Sequence, residues 1–343
     1  MVVYILMIIL GIVIGTIITT ICNIVNKKTD EKQYLEEYKE IIRKCLKYED
    51  NNSKNTVKKV IQIRLEKLLQ IEDEAEFKLQ TGVKRLVFFQ MLDILTKEFD
   101  KKHIKGSFKG IGPGCKLVLA LSYWREYRAM RQMALDYDVA PSTICDSIKW
   151  VEITLANNSL FQLDDIKTEI EKLEQTGNKV ECIIGDVEEQ PIERPKVNLE
   201  ESYSGKKKMH TTKNQIIIDE KTQMIINVFN AKGTMHDYKM IQESNITDTL
   251  NEKGIKGKFD SGYQGIQNLM TAIIPFKKSK YHELTEEEKN HNTKLSSERI
   301  KIEHVNRTIK IFRIMKEKYR NHMNRYDEKL NIIVGIYNLN LGK

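Results

Sequence analysis

The sequence predicts an α/β protein, helical over its first half and sheet-forming over its second, with an apolar helix at its N-terminus. Three observations predict it. Apolar residues recur at intervals of three and four as far as Trp150, the spacing of amphipathic helices. Beyond a polar stretch at Glu169 to Asn178 the runs become short and β-rich. Residues 1–26 contain no Asp, Glu, Lys or Arg at all.

A chain of 343 residues is long enough to bury the cores of two modest domains. Lys and Arg number 56 against 48 Asp and Glu, a net charge of +8 that lies entirely beyond residue 26 and favours a polyanionic partner. The five cysteines stand singly, with no CxxC pair and no histidine at zinc-finger spacing. That excludes a disulfide framework or a structural zinc site and fits a reducing cytoplasm.

Taken in order, Val2 to Val25 is uncharged and reaches the roughly 20 residues that cross a bilayer as a helix. The Lys27–Lys28 pair behind it would leave the remainder on the cytoplasmic side, anchored through residues 2–25. A buried core helix is the competing reading. Glu31 to Tyr48 repeats Tyr34, Leu35, Tyr38, Ile41, Ile42, Cys45 and Leu46 on one helical face. The polar linker Asp50 to Thr56 follows, and Val57 to Ile71 and Arg85 to Phe99 resume the helical pattern. The glycine-rich GSFKGIGPGC, Gly106 to Cys115, breaks the chain before the helices of Leu117 to Trp150. There a short helix at Met130 to Tyr137, a turn at Asp138–Val139–Ala140 and a helix opening with Pro141, Ser142 and Thr143 have the helix-turn-helix order. Ser142, Thr143 and Lys149 are its candidate DNA contacts, although an ordinary three-helix bundle has the same periodicity. The expected domains are a span at 1–26, a helix and linker at 27–56, a helical domain at 57–155 and a sheet domain at 178–343.

In the second half, VECIIGDV (Val180 to Val187) reads as a strand ending near Asp186. HTTKNQIIID and QMIINVFNA read as a strand pair joined by a turn at EKT, and DYKMIQES as a helix. GKFDSGYQG puts Asp260 at the end of a short strand, IIPFKK supplies another, and Ser297 to Tyr319 a long basic helix bearing Glu303. Strand ends and a helix can thus bring three acids together. Phosphodiester chemistry uses such a cluster to hold two hard divalent cations about 3.5–4 Å apart, with a water or a 3′-hydroxyl as nucleophile. Arg299 precedes Glu303 by four residues and Lys310 follows by seven, offsets that share one helical face within about 40°. A cation, an acid and a cation on one stripe suit phosphate and metal, yet a solvated helix laced with ion pairs has the same spacing. Lys206, Lys207 and Lys208 beside Tyr203, and Arg313 beyond the stripe, are further candidate phosphate contacts. His236–Asp237 could join the active site, but Asp237 opening a helix reads more simply as an N-cap; Trp124 and Trp150 read as core rather than stacking platforms.

The strings DVEEQPIERP, YSGKKKMHTTKNQIIID, GTMHDYKMIQES, DSGYQG, LTEEEKNHN and SSERIKIEHVNRTIKIFRI, in this order, resemble the transposases of the IS5 insertion-sequence group over roughly residues 60–343. The resemblance implies an RNase H-like core preceded by a helix-turn-helix domain, a DDE triad at Asp186, Asp260 and Glu303, and two Mg²⁺ or Mn²⁺ ions. It implies, too, a homodimer acting on terminal inverted repeats and target DNA at the nucleoid. Arg299, Glu303 and Lys310 match the group's Y-x(2)-R-x(3)-E-x(6)-K signature, with Ser296 where that signature has tyrosine. The N-terminal span has no counterpart in the group, and GSFKGIGPGC departs from its usual entry to the DNA-binding helices. The alternative that these departures raise is a non-catalytic, membrane-tethered DNA-binding relic or repressor.

Overall fold

The computed structural model describes residues 38–46, 59–102, 110–279 and 283–342. The expected span at 2–25, the linker at 50–56 and the first part of the glycine-rich string lie outside them. Among the described residues no helix is long and apolar enough to cross a membrane. The chain divides into two compact units between Asn158 and Ser159.

The first unit is helical. Residues 38–46 form a helix that buries Ile42, Cys45 and Leu46, and then come α1 (Lys59–Gln70), α2 (Glu74–Thr81), α3 (Arg85–Lys102), α4 (Pro113–Glu126), α5 (Met130–Asp136) and α6 (Pro141–Ala156). Helix α2 was not expected from the periodicity; Asp73 caps it, accepting from the Glu76 N–H at 2.9 Å, and Gly82 closes it in the left-handed region. The glycine-rich string has a packing purpose at its end. Gly112 is the N-cap of α4 and Pro113 its first residue, while a Cβ on Gly114 would lie 2.5 Å from Cys45 Sγ and 2.8 Å from a Leu65 methyl. Only glycine lets α4 approach that closely. As expected, Trp124 is core, its indole N–H donating to the buried Glu152 at 3.1 Å. Trp150 is half-buried, with Lys116 Nζ over its ring at 4.5 Å. Helices α5 and α6 are joined through Tyr137 to Ala140, with Asp138 in the left-handed region. Ser142 and Lys149 are exposed on α6 and Thr143 is half-buried.

The second unit wraps helices around a mixed sheet. Its elements are α7 (Ile166–Gln175), β1 (Cys182–Pro191), the short α8 (Leu199–Ser202), β2 (Tyr203–Ser204), β3 (Met209–Asp219), β4 (Ile225–Lys232), α9 (Asp237–Glu243), α10 (Thr247–Glu252), β5 (Lys256–Lys258), β6 (Ala272–Ile273), α11 (Glu286–Ile309) and α12 (Tyr326–Leu341). Strands β4, β3 and β1 pair antiparallel in that order, β5 joins β1 in parallel and β6 joins β5 in parallel; β2 pairs only with the start of β3.

Alternation along the strands separates two faces. Ile183, Ile217 and Ile226 join Ile166, Ile170 and Leu173 of α7, Ile241 of α9, Leu250 of α10 and the rings of Phe259 and Tyr263 in one apolar cluster. The alternate row of β1, Asp186, Glu188 and Gln190, meets α11 and the chain that follows it.

Several expectations are corrected here. Asp186 does not end its strand: β1 runs on to Pro191, because Glu188, Glu189 and Gln190 find partners in Lys310, Thr211 and the carbonyls of Ile314 and Glu317. IIPFKK yields only the Ile273 end of β6, Pro275 having no N–H to extend a ladder. The long helix begins and ends earlier than Ser297 to Tyr319. Thr285 and Glu288 form a reciprocal capping box that starts α11, which stops at Ile309 with Lys310 as its C-cap. Arg313 therefore sits not on that helix but in a short 3₁₀ turn, exposed and paired with Glu317 at 3.8 Å. Helix α7 packs with the sheet rather than lying between domains, and α10 and α12 were not anticipated.

Candidate active site

The site is built on the neighbouring parallel strands β1 and β5. Their register pairs Ile184 with Lys258, so two residues further on Asp186 and Asp260 come side by side. Phe259 fixes this junction. Its ring occupies the space over Gly185 and Gly257, where an added Cβ would lie 2.4 Å and 2.3 Å from ring carbons, and it packs on Tyr263 with centroids 4.7 Å apart. The glycine before Asp186 and the one three residues before Asp260 are thus the means by which a buried ring sets the backbone of both acids. Past β5, Asp260 caps the turn Ser261–Tyr263, its Oδ1 accepting from the Gly262 N–H at 2.8 Å.

Asp186 is gripped by α11. Arg299 donates to its Oδ1 at 3.1 Å and the Asn306 amide to its Oδ2 at 2.9 Å. Its side chain is 19% exposed. Burial pushes the Asp186 carboxyl up to about 7 against the pull of Arg299, and the charges of Glu188 and Asp260 add to the rise. Four residues beyond Asn306, Lys310 pairs with Glu188. Arg299 and Lys310, read from sequence as phosphate contacts, here hold the acids of β1.

Asp237 is not the N-cap of α9. His236 stands at that position, without a side-chain cap bond, and Asp237 is the first helical residue. Its Oδ1 pairs with Lys213 Nζ at 2.9 Å, and its Oδ2 would lie 2.3 Å from a Cβ on Gly262, next to Asp260. Burial drives the Tyr263 hydroxyl well above its usual range, and Asp186, Asp237 and Asp260 all act on it in the same direction. Three aspartates therefore surround this one ring.

Glu303 is placed differently. Residues 299, 306 and 310 fall within about 40° of one another around α11, with 303 at the rim of that stripe, and Glu303 is exposed while Asn306 is 3% exposed. Among the described residues no three acids, histidines or cysteines stand close enough to hold a metal ion together. The donors gathered at Asp186 nevertheless have the chemistry of a hard divalent cation. They are the oxygens of two carboxylates, Asp186 on β1 and Asp260 just past the end of β5, while Asn306, whose amide N–H holds Asp186, keeps a buried Oδ1 with no hydrogen-bond partner among the described residues. These residues fit such an ion at the Asp186–Asp260 pair, where the Arg299 guanidinium now supplies the positive charge.

Lys206, Lys207 and Lys208 form the exposed tip between β2 and β3, Lys208 in the left-handed region, far along β3 from the residues opposite Asp186. Sequence reasoning passed over Asn306 and undervalued Asp237. The offset of seven from Arg299 marks Asn306 as part of the stripe, but an amide is neither cation nor carboxylate and drew no attention.

Residues 186–338, which begin at Asp186 itself, match the DDE superfamily endonuclease family. The chain is similar to a probable transposase for insertion sequence element IS702 from Microchaete diplosiphon, 35% identical over 280 residues that cover 81% of this chain and 99% of that protein. No solved structure matches. With the alignment spanning nearly the whole of that relative, the chain belongs to the insertion-sequence transposases that carry a DDE superfamily endonuclease domain.

Proposed function

We propose that this chain cuts the phosphodiester at the ends of an insertion element of the IS5 group and joins the freed 3′-hydroxyl to target DNA. The observation that carries the reading is the placement of Asp186 on β1 beside Asp260, just past the end of the neighbouring parallel strand β5, with the helix of Glu303 packed against β1. Three antiparallel strands followed by two parallel ones support an RNase H-like core. Asp186, Asp260 and Glu303 would hold Mg²⁺ or Mn²⁺, Glu303 turning in from the rim of α11. When bound, the two cations would polarise the scissile phosphate and favour ionisation of the attacking water or 3′-hydroxyl.

The protein's own residues do the rest. The strand pair and Phe259 hold the acids in place. Arg299, which pairs with Asp186 here, would hold a phosphate of the strand being cut. Lys310, Arg313 and the Lys206–Lys208 tip would track the backbone, and α6 would enter the major groove with Ser142, Thr143 and Lys149. A homodimer pairing two element ends completes the scheme.

The test is purified full chain incubated with Mg²⁺ or Mn²⁺ and DNA bearing the element's terminal repeats. Nicking and joining are expected, with Glu303→Gln binding the same DNA but leaving it uncut. If the wild-type chain bound the repeats and never cut them, the catalytic reading would give way to that of a DNA-binding relic.

A further inference from the structure

The Asn306 side chain is 3% exposed, lies on the stripe of α11 that faces β1, and is satisfied at one end only. Its Nδ2 donates to Asp186 Oδ2 at 2.9 Å, whereas its Oδ1 is buried without a partner among the described residues. A buried amide oxygen left unpaired is destabilising, and an apolar residue of the same size would avoid that cost. Against the ionised carboxylate, which only accepts, flipping the amide would not relieve it; only a protonated Asp186 could donate to the flipped oxygen. Arg299 is in the same condition on the other side of the acid, its NH2 paired to Asp186 and its Nε buried without a partner. Two half-satisfied polar side chains thus converge on one carboxylate, in an otherwise well-packed unit. That pattern is expected of a site that is complete only when something polar enters it.

We propose that Asn306 is a positioning residue for the metal site: its amide N–H fixes the orientation of the Asp186 carboxylate, and its free Oδ1 accepts a hydrogen bond from a water held by the cation. The two roles need one donor and one acceptor on a rigid planar group, which asparagine supplies and leucine does not. Asn306 would act through Asp186 rather than by touching DNA. Partners that orient a metal's carboxylates are typically worth about 10–100-fold in metal affinity. This inference rests on the metal-binding reading above, and the experiment separates the two.

The full chain, free of DNA, is titrated with Mn²⁺ and free ion is followed by electron paramagnetic resonance, alongside thermal melts in chelator. Wild type should bind Mn²⁺, and Asp186→Asn should not. Asn306→Leu, and Asn306→Ala should the leucine fail to fold, should bind about tenfold more weakly or worse. The melts in chelator show that each variant is folded before its Mn²⁺ affinity is read, since leucine removes the unpaired oxygen and with it the N–H from which Asp186 Oδ2 accepts. Mn²⁺ affinity within twofold of wild type in the folded Asn306 variants would overturn the assignment while leaving the metal reading intact. If wild type itself bound Mn²⁺ no better than Asp186→Asn, the metal reading would fail, and this inference with it.

Discussion

Replacing Asp186 by asparagine removes a charge while keeping the shape of the side chain, and the expected consequence in metal-free protein is a gain of stability at neutral pH. Burial holds the Asp186 carboxyl up to about 7, whereas an aspartate in an unfolded chain titrates near ~3.9. Across that window the native protein keeps the proton and the unfolded chain has released it. Wild-type stability should therefore fall as pH rises from ~4 to ~7 and level off above, a raised carboxyl contributing most at low pH. The span of about three pH units, at 1.36 kcal/mol each, amounts to ~4 kcal/mol as an upper scale. The substituted amide does not titrate, so Asp186→Asn should match wild type near pH 4 and exceed it by up to ~4 kcal/mol at pH 8. The oxygen of that amide can still accept from Arg299, and Asn306 can turn its own free oxygen toward the new amide N–H. Equilibrium urea unfolding in chelator at pH 4.5, 6, 7 and 8 measures this. Parallel pH dependence in the two proteins would refute the account, because it would mean that Asp186 is ionised in the native state throughout.

Three further outcomes follow from particular contacts. Gly185→Ala puts a Cβ 2.4 Å from a Phe259 ring carbon and 2.9 Å from an Ile217 methyl, both fully buried, and should cost roughly 1–3 kcal/mol in urea unfolding; a change below about 0.5 kcal/mol would mean that the ring does not fill that space. Thr285→Ala removes the oxygen that accepts from the Glu288 N–H and should cost about 1 kcal/mol, read by the same method; no loss would show that the capping box does not set the start of α11. Lys149→Ala on the exposed face of α6 should weaken DNA binding uniformly across sequences and reduce the slope of log K against log salt by about 0.9; an unchanged slope would remove Lys149 from the phosphate contacts.

What could be read without coordinates follows where local pattern and tertiary environment agree. The strands β3 and β4 were legible to within a residue or two, because HTTKNQIIID and INVFNA are bounded by a turn whose Asp219 and Thr222 close on each other locally, Asp219 Oδ2 accepting from the Thr222 N–H at 2.7 Å. Helix α12 was missed for the opposite reason. Ile332 to Tyr337 is buried on every side, so the run has no polar face and hence no helical period to detect. The far half of β1 was missed because its residues look like a solvated loop; the partners of Glu188 and Gln190 lie 122 to 136 positions away, at the end of α11 and beyond it.

The same distinction runs through the site. Asp260 was legible as an acid at the end of a strand and Asp186 as an acid on one, although mid-strand; what put them side by side, a phenylalanine seated over two glycines, could be recognised only once the parallel register of β1 and β5 was known. Helical arithmetic put Arg299 and Lys310 on one stripe, but it could not say that the stripe faces the acids of β1. Once that is known, the order of residues along α11 acquires a physical sense. Each side chain at its centre answers a polar residue of β1: Arg299 and Asn306 answer Asp186, Lys310 answers Glu188, and the carbonyls beyond the helix answer Gln190. Glu303 stands at the rim of this stretch, exposed to solvent. The oxygens of Asp186 are already held by Arg299 and Asn306, so in the metal-free protein nothing on β1 answers a carboxylate at position 303, and it is left to solvent.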